Sequence, residues 1–243
     1  MLKSLSIHIE ANMLKVCLYG FIGGMSLLLS GNTINFWLSS SGIDIKIIGL
    51  FSCIALPYTF KYFIAVFIDR YLFSKKAWLI ISQITMCIAL ILMSFLDPSR
   101  WLGLIAILGF CIALCASIQD IVLNASRIKI FDDYQQPVAT AMYSLGYRLG
   151  MMLSGAGGIF FSYYISWQII YLILAIFCLL LSIAMYFVYE EPDSETIVSH
   201  NEQSIWYNII IQPFKNFLPL KSFVWVICFI LLYSYQISTE RVL

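Results

Sequence analysis

The fold class this sequence predicts is all-α, a polytopic membrane helical bundle, and three observations lead there. Of 243 residues, 61% are hydrophobic and 16% aromatic but only 11% are charged, against about 25% charged in an ordinary soluble domain. So little charge cannot cover a water-facing surface, which leaves lipid as the solvent. Charges also disappear over successive stretches of about 20 residues, the length of helix that crosses a hydrocarbon core about 30 Å thick. The charges that remain gather in short connecting segments, with Lys and Arg unequally shared between the two ends of the spans.

Seven spans follow in order. Span one is the strongly apolar part, Met13 to Leu38, of the charge-free run Val16 to Ile43. Span two runs from Ile47 to Ile68, interrupted only by Lys61 and closed by Asp69, Arg70, Lys75 and Lys76. Span three is Ala77 to Leu96, and the turn composition Asp97-Pro98-Ser99-Arg100 ends it. Span four runs from Trp101 to Ser126 with a single acid, Asp120. Leu149 to Tyr189 is charge-free for 41 residues, too long for one crossing. The polar stretch Ser162 to Trp167 divides it into span five, Val138 to Phe161, and span six, Trp167 to Tyr189. Ser222 to Thr239 forms an 18-residue seventh span. The domain reading is a six-span part over 1–189, a cytoplasmic linker over 190–220 and the seventh span in 221–243.

Orientation follows the basic residues of short loops. Nine lie on the N-terminal side (Lys3, Lys15, Arg70, Lys75, Lys76, Arg127, Lys129, Lys215, Lys221) and three on the other (Lys46, Arg100, Arg241). The N-terminus is therefore expected in the cytoplasm. The first apolar run is too long for a signal-peptide core and no small-x-small cleavage site follows, so span one is expected to stay as an anchor. Trp37, Trp78, Trp101, Trp167 and Trp225 fall near span ends, where an aromatic belt would place them.

Several functions are excluded by what is missing. A net charge of +1 without a run of five like charges gives no field for nucleic acid. His8 and His200 lie outside the spans, so no intramembrane metal or haem site is expected, and no nucleotide-binding loop occurs. Ser154-Gly155 has no His within the membrane to activate a hydroxyl, so an enzyme is not expected. Seven Cys, all in apolar runs without a CxxC pair, read as small packing residues.

What remains is a handful of polar groups inside the spans, each costing about 2.5 to 3.5 kcal/mol to insert unless it finds a partner or water. Lys61 lies about 12 Å from the cytoplasmic end, and its stem can reach that interface. Arg148 lies about 15 Å deep and must face protein or a wet cavity. Asp120, about 9 Å from the cytoplasmic end, lies at comparable depth on a neighbouring antiparallel span, so an Asp120–Arg148 ion pair is expected. Two readings of that pair stand: a static pair that fixes helix register, or a substrate-anion or proton site. Gln119, Asp120 and Asn124 form a polar stripe on span four that should line an interior. On span five, Gly146, Gly150, Ser154 and Gly158 recur at four-residue steps and mark a face for close helix packing, with Gly20 and Gly24 a weaker copy in span one.

Four stretches resemble one family. Ala65-Val66-Phe67-Ile68-Asp69-Arg70 with Lys75-Lys76 is similar to the loop signature between helices two and three of major facilitator transporters. Tyr58-Thr59-Phe60-Lys61-Tyr62, Gln119-Asp120-Ile121-Val122 and Ala141 to Met151 with Ser154-Gly155 look like the AmpG-type muropeptide permeases of that superfamily. The resemblance covers Leu18 to Tyr189. It implies the amino-terminal six-helix half of a major facilitator transporter plus a seventh span, with spans one to three and four to six as repeats. It further implies a proton-driven permease of the bacterial inner membrane that imports anhydro-muropeptides, with no cofactor beyond the proton as coupling ion; a related branch carries acetyl-CoA. By carry-over, Lys61, Gln119, Asp120, Asn124 and Arg148 would line the substrate and proton pathway, and Asp69 and Arg70 would form the cytoplasmic gate. Asn124 stands where that family generally has Asp, and Ala65 and Leu72 replace glycines of the loop. Such transporters pair two six-span halves, so a homodimer or a separately encoded carboxy-terminal half is expected as partner. The alternatives are a non-transporting remnant and a membrane interaction subunit.

Overall fold

The computed structural model describes residues 2–70 and 74–189, and the side chains of 12–68 and 74–189. The linker and seventh span lie outside the described residues, as do His200, Trp225 and the side chain of His8. Within them the fold is a bundle of helices with no strand, the class the composition predicts.

Span one is two helices, α1 (Leu2–Ser30) and α2 (Asn32–Ser40). They part at Gly31, whose φ of −130° and ψ of −85° lie outside the helical region. Span two is broken further: α3 (Ile45–Phe51), a 3₁₀ turn (Ser52–Ala55), α4 (Leu56–Thr59) and α5 (Lys61–Arg70). Pro57 explains the 3₁₀ turn, because it has no N–H to donate to the preceding turn and its ring crowds that turn's carbonyl, while the break before α5 falls at Phe60, whose φ of −91° and ψ of 16° lie outside the helical region. The break sets Lys61 at the start of α5. Span three is a single helix, α6 (Lys75–Ser94), and the Ser74 hydroxyl accepts the Ala77 N–H at 3.1 Å to cap it. Span four is α7 (Pro98–Ile130), begun by Asp97, whose carboxylate accepts the Ser99 N–H at 3.0 Å, with Pro98 in the first turn.

Span five runs through α8 (Gln136–Met151), one π turn (Met152–Gly157) and α9 (Gly158–Phe161). Among the described residues five helical stretches are long and apolar enough to cross a membrane, matching predicted spans one, two, three, four and six. Span five is not among them: it carries Arg148, with glycines, serines and tyrosines along its length, and is less apolar than the others. Span six is α10 (Trp167–Val188).

The core is made where α1 lies along α8 and α7, while α6 lies along α7 and α10. On the outer faces of α6 and α10, Ile81, Ile84, Ile88 and Leu92, and Ile169, Ile173, Ile176, Leu180 and Ile183, are exposed at helical spacing. These are stripes a hydrocarbon solvent accepts. One aromatic expectation is corrected: Trp37 is only 1% exposed and packs on Tyr171 with ring centroids 4.7 Å apart, so it belongs to the core and not to an interfacial belt. The Cys87 thiol donates to the Ala175 carbonyl at 3.3 Å, and the described cysteines are free, as packing residues would be.

The small residues of α1 and α8 interlock. A methyl group on Gly146 or Gly150 would overlap the backbone carbonyl of Cys17 or Phe21, and one on Gly20 or Gly24 would overlap that of Tyr143 or Tyr147. Glycine is therefore required on both helices at the same crossing. Ser154 and Gly158 continue the face with looser contact: Thr33 Oγ1 donates to the Ser154 carbonyl at 3.1 Å, and a Cβ on Gly158 would find its nearest neighbour at 3.7 Å.

Candidate functional site

Beside the crossing of α1 and α8, an open cleft of about 360 Å³ is lined by Tyr58, Lys61, Asp120, Asn124, Tyr143, Ser144, Tyr147 and Arg148. Four elements supply it: α4, α5, α7 and α8. Asp120 is its anchor, 5% exposed on an otherwise apolar helix. One carboxylate oxygen, Oδ2, accepts from Lys61 Nζ at 3.0 Å. The other, Oδ1, accepts from Asn124 Nδ2 at 3.1 Å and from the Tyr143 hydroxyl at 3.3 Å. Asn124 Nδ2 also reaches the Asp120 carbonyl at 2.9 Å and the Tyr143 hydroxyl at 3.2 Å, so one turn of α7 binds its own carboxylate in place. A carboxylate with this many donors has its desolvation offset, which is how a charge is kept at this depth.

The expected Asp120–Arg148 pair is not formed; Asp120 takes Lys61 instead. The break before α5 turns the Lys61 stem inward, where its ammonium also lies 5.0 Å from the centre of the Tyr58 ring. It therefore does not extend to the interface. Arg148 follows Tyr147 by one residue, about 100° around α8. Tyr147 turns toward α4 to share a hydrogen bond with the Tyr58 hydroxyl at 3.2 Å, which leaves Arg148 on the exposed side of the helix, at the cleft. Among the described residues Arg148 meets no carboxylate.

Gln119 is the second correction. It is fully buried, and it accepts the Ser26 hydroxyl through Oε1 at 2.7 Å across the α1–α7 contact, away from the cleft. The 100° step from Asp120 turns Gln119 toward α1, where Ser26 meets it. Its Nε2 is buried without a hydrogen-bond partner among the described residues. Gln119→Leu is accordingly expected to change thermal stability by no more than about 1 kcal/mol, since it removes one hydrogen bond and one unsatisfied donor together. It should leave any cleft-dependent activity intact, which a melting curve and an uptake assay on the same membranes will check.

Asp69 and Arg70 end α5, but their side chains, and with them the expected gate, lie outside the described residues. Sequence reasoning passed over the three tyrosines as site residues. Tyr143 and Tyr147 have ring centroids 6.1 Å apart at 29° between planes. A Cβ on Gly23 would come within 3.1 Å of the Tyr143 hydroxyl and 3.4 Å of the Tyr147 ring, so Gly23 makes room for both. The available signal was the four-residue Tyr spacing opposite Gly20, Gly23 and Gly24.

Comparison with known proteins gives these arrangements a context. The family model described as Major Facilitator Superfamily matches residues 16–240. A Rickettsia prowazekii protein named as an AmpG transporter is 29% identical over 235 residues, which cover 92% of this chain and 52% of that protein. The anhydromuropeptide permease of Escherichia coli K12 is 30% identical over 220 residues, 88% of this chain and 44% of the permease. The chain thus spans about half the length of the curated relatives it matches. Among solved structures, a bacterial homologue of the human lysosomal transporter Spinster, in an inward-facing and unoccupied conformation, gives a TM-score of 0.56 at 15% identity. That match covers 87% of this chain and 48% of the other, and shows a shared fold.

Proposed function

Since this chain belongs to the Major Facilitator Superfamily and is a multi-pass membrane protein, we propose that it is part of a secondary transporter for anhydro-muropeptides or related peptidoglycan fragments. The permease is proton-driven, it lies in the bacterial inner membrane with its N-terminus in the cytoplasm, and it imports. The names of the relatives support the substrate. The observation that carries the reading is the cleft: an acid and a cation already paired, with a second cation, Arg148, left to meet an anion from outside. A sugar acid or peptide supplies a carboxylate for Arg148 and hydroxyls or amides for Ser144, Tyr58 and Tyr147. An ion pair beside the site gives a device whose partners can exchange when a charged ligand or a proton arrives. The facing wall of the path comes from a second bundle, supplied by a second copy or by another chain segment.

The test is uptake of radiolabelled anhydro-muropeptide by cells that lack their own permease and express this chain, with membrane insertion followed in parallel. Uptake above the empty-vector level, reduced at least about tenfold by Arg148→Ala, is the expected result, since one charge-assisted hydrogen bond to a carboxylate is worth about 1.5 to 3 kcal/mol. Well-inserted protein without uptake would return the reading to a non-transporting remnant or a membrane interaction subunit. Competition by acetyl-CoA and not by muropeptide would reassign the substrate.

A further inference from the structure

The cleft is not where the polar surface of α8 ends. Thr140, Ser144 and Arg148 follow one another at four-residue steps and all three are exposed, so they form one line along the helix. Beyond Arg148 the same line continues as Met152 and Ala156, both apolar. The line is polar only between Arg148 and the start of α8. At that start it meets a second guanidinium, from α7. Arg127 lies seven residues after Asp120, on the face that also carries Asn124, and so points to the same neighbour, Tyr143. It is held there: its guanidinium carbon lies 5.2 Å from the centre of the Tyr143 ring, and Nη1 donates to Thr140 Oγ1 at 3.2 Å. Among the described residues its buried Nε has no hydrogen-bond partner and no carboxylate pairs with it. Asp132 and Asp133, in the turn between α7 and α8, do not reach it.

We propose that Arg127 and Thr140 form a second anion-binding station, for the carboxylate of the ligand that Arg148 holds, about 12 Å further along α8. This rests on the reading of the cleft as a substrate site. The geometry favours a path over a coincidence of charges. Two guanidiniums that meet no carboxylate among the described residues stand at the ends of a row of hydroxyls, and the intervening charges, Lys61 and Asp120, cancel each other. A carboxylate leaving Arg148 passes the Ser144 hydroxyl to reach Arg127, whose guanidinium Thr140 holds in place by accepting from Nη1 while giving its own hydroxyl proton to the Gln136 carbonyl. Tyr143 joins the two ends. Its hydroxyl binds Asp120 in the cleft while its ring face carries Arg127.

The experiment places a thiol between the stations, Ser144→Cys, and follows its modification in inside-out membrane vesicles by an anionic and a cationic methanethiosulfonate, with the unsubstituted chain as background. N-Acetylmuramate, a sugar carboxylate, is the competing probe. Arg127→Gln is expected to lower the anionic-to-cationic rate ratio about fourfold, the effect of one charge acting through a wet dielectric at about 10 Å. It should also raise the N-acetylmuramate concentration that protects the thiol at least about fivefold, while Arg127→Lys keeps most of the ratio. Should Arg127→Gln fail to accumulate, Thr140→Val, which removes only the hydroxyl that holds the guanidinium, is expected to shift protection in the same direction. Protection unchanged in whichever of these two variants accumulates overturns the proposal, whatever the rate ratio does. Protection that responds as expected in membranes that take up no muropeptide would leave the station standing and place the failure in the substrate reading.

Discussion

Gly146→Ala is expected to destabilise the bundle by about 1 to 3 kcal/mol, the range for forcing a group into a filled interior. The sign is the informative part. Helix propensity alone favours alanine over glycine by about 1 kcal/mol, so a purely local view predicts a gain. Here the added methyl meets the carbonyl oxygen of Cys17, a backbone atom that cannot rotate away, and α1 must move off α8 along the whole crossing. Gly24→Ala should behave alike, against the Tyr147 carbonyl. Gly158→Ala is the control, because its nearest neighbour is a methyl of Thr33 at 3.7 Å, and it should be neutral or stabilising. Thermal unfolding of detergent-solubilised protein, read by loss of the monodisperse peak, compares all three. Equal effects at Gly146 and Gly158 would mean that backbone contact is not what holds α1 to α8. Since Tyr143 and Tyr147 flank Gly146 on α8, separating the helices also displaces two cleft hydroxyls, and uptake should fall along with stability.

The second large effect is expected at the ion pair. Asp120→Ala leaves the Lys61 ammonium without its carboxylate, and Lys61→Ala leaves Asp120 with only Asn124 and Tyr143 as donors. Breaking a buried pair costs about 3 to 5 kcal/mol when neither partner can reach water. The Lys61 side chain is 30% exposed, so about 1 to 3 kcal/mol is the fitting range here. The larger loss belongs to Asp120→Ala. The double substitution Lys61→Met with Asp120→Leu should recover much of that stability, because an apolar pair of similar volume carries no uncompensated charge. It should not recover uptake. A coupling free energy of about 1 to 2 kcal/mol between the two sites is expected from the double-mutant cycle. Strict additivity would show that the 3.0 Å contact contributes nothing.

Some of this was legible in the chain and some was not, for reasons that separate along physical lines. Spans three, four and six could be placed because each depends on local quantities alone: an uninterrupted apolar run, a capping Ser74 or Asp97, and a polar turn after it. Asp120 and Arg148 could be singled out because the cost of a charge in lipid marks it whatever it touches. Which charge it touches is another matter. Arg148 and Lys61 lie at depths too similar for sequence arithmetic to choose between them, and the choice came from the helix break at Phe60, which aims one stem inward, and from Tyr147, which takes the inward position next to Arg148. Gln119 and Asp120 are neighbours in every sequence pattern, yet a rotation of about 100° sends one to Ser26 and the other to the cleft.

The sequence by itself determined the solvent, the helical class and the residues that cannot be idle, because burial costs belong to single residues and to runs of about 20. Only the tertiary structure decided the partners. Hydrogen bonds and ion pairs depend on angles and on tenths of an ångström between helices far apart in the chain, and those are fixed where Gly20 and Gly24 meet Gly146 and Gly150, backbone against backbone.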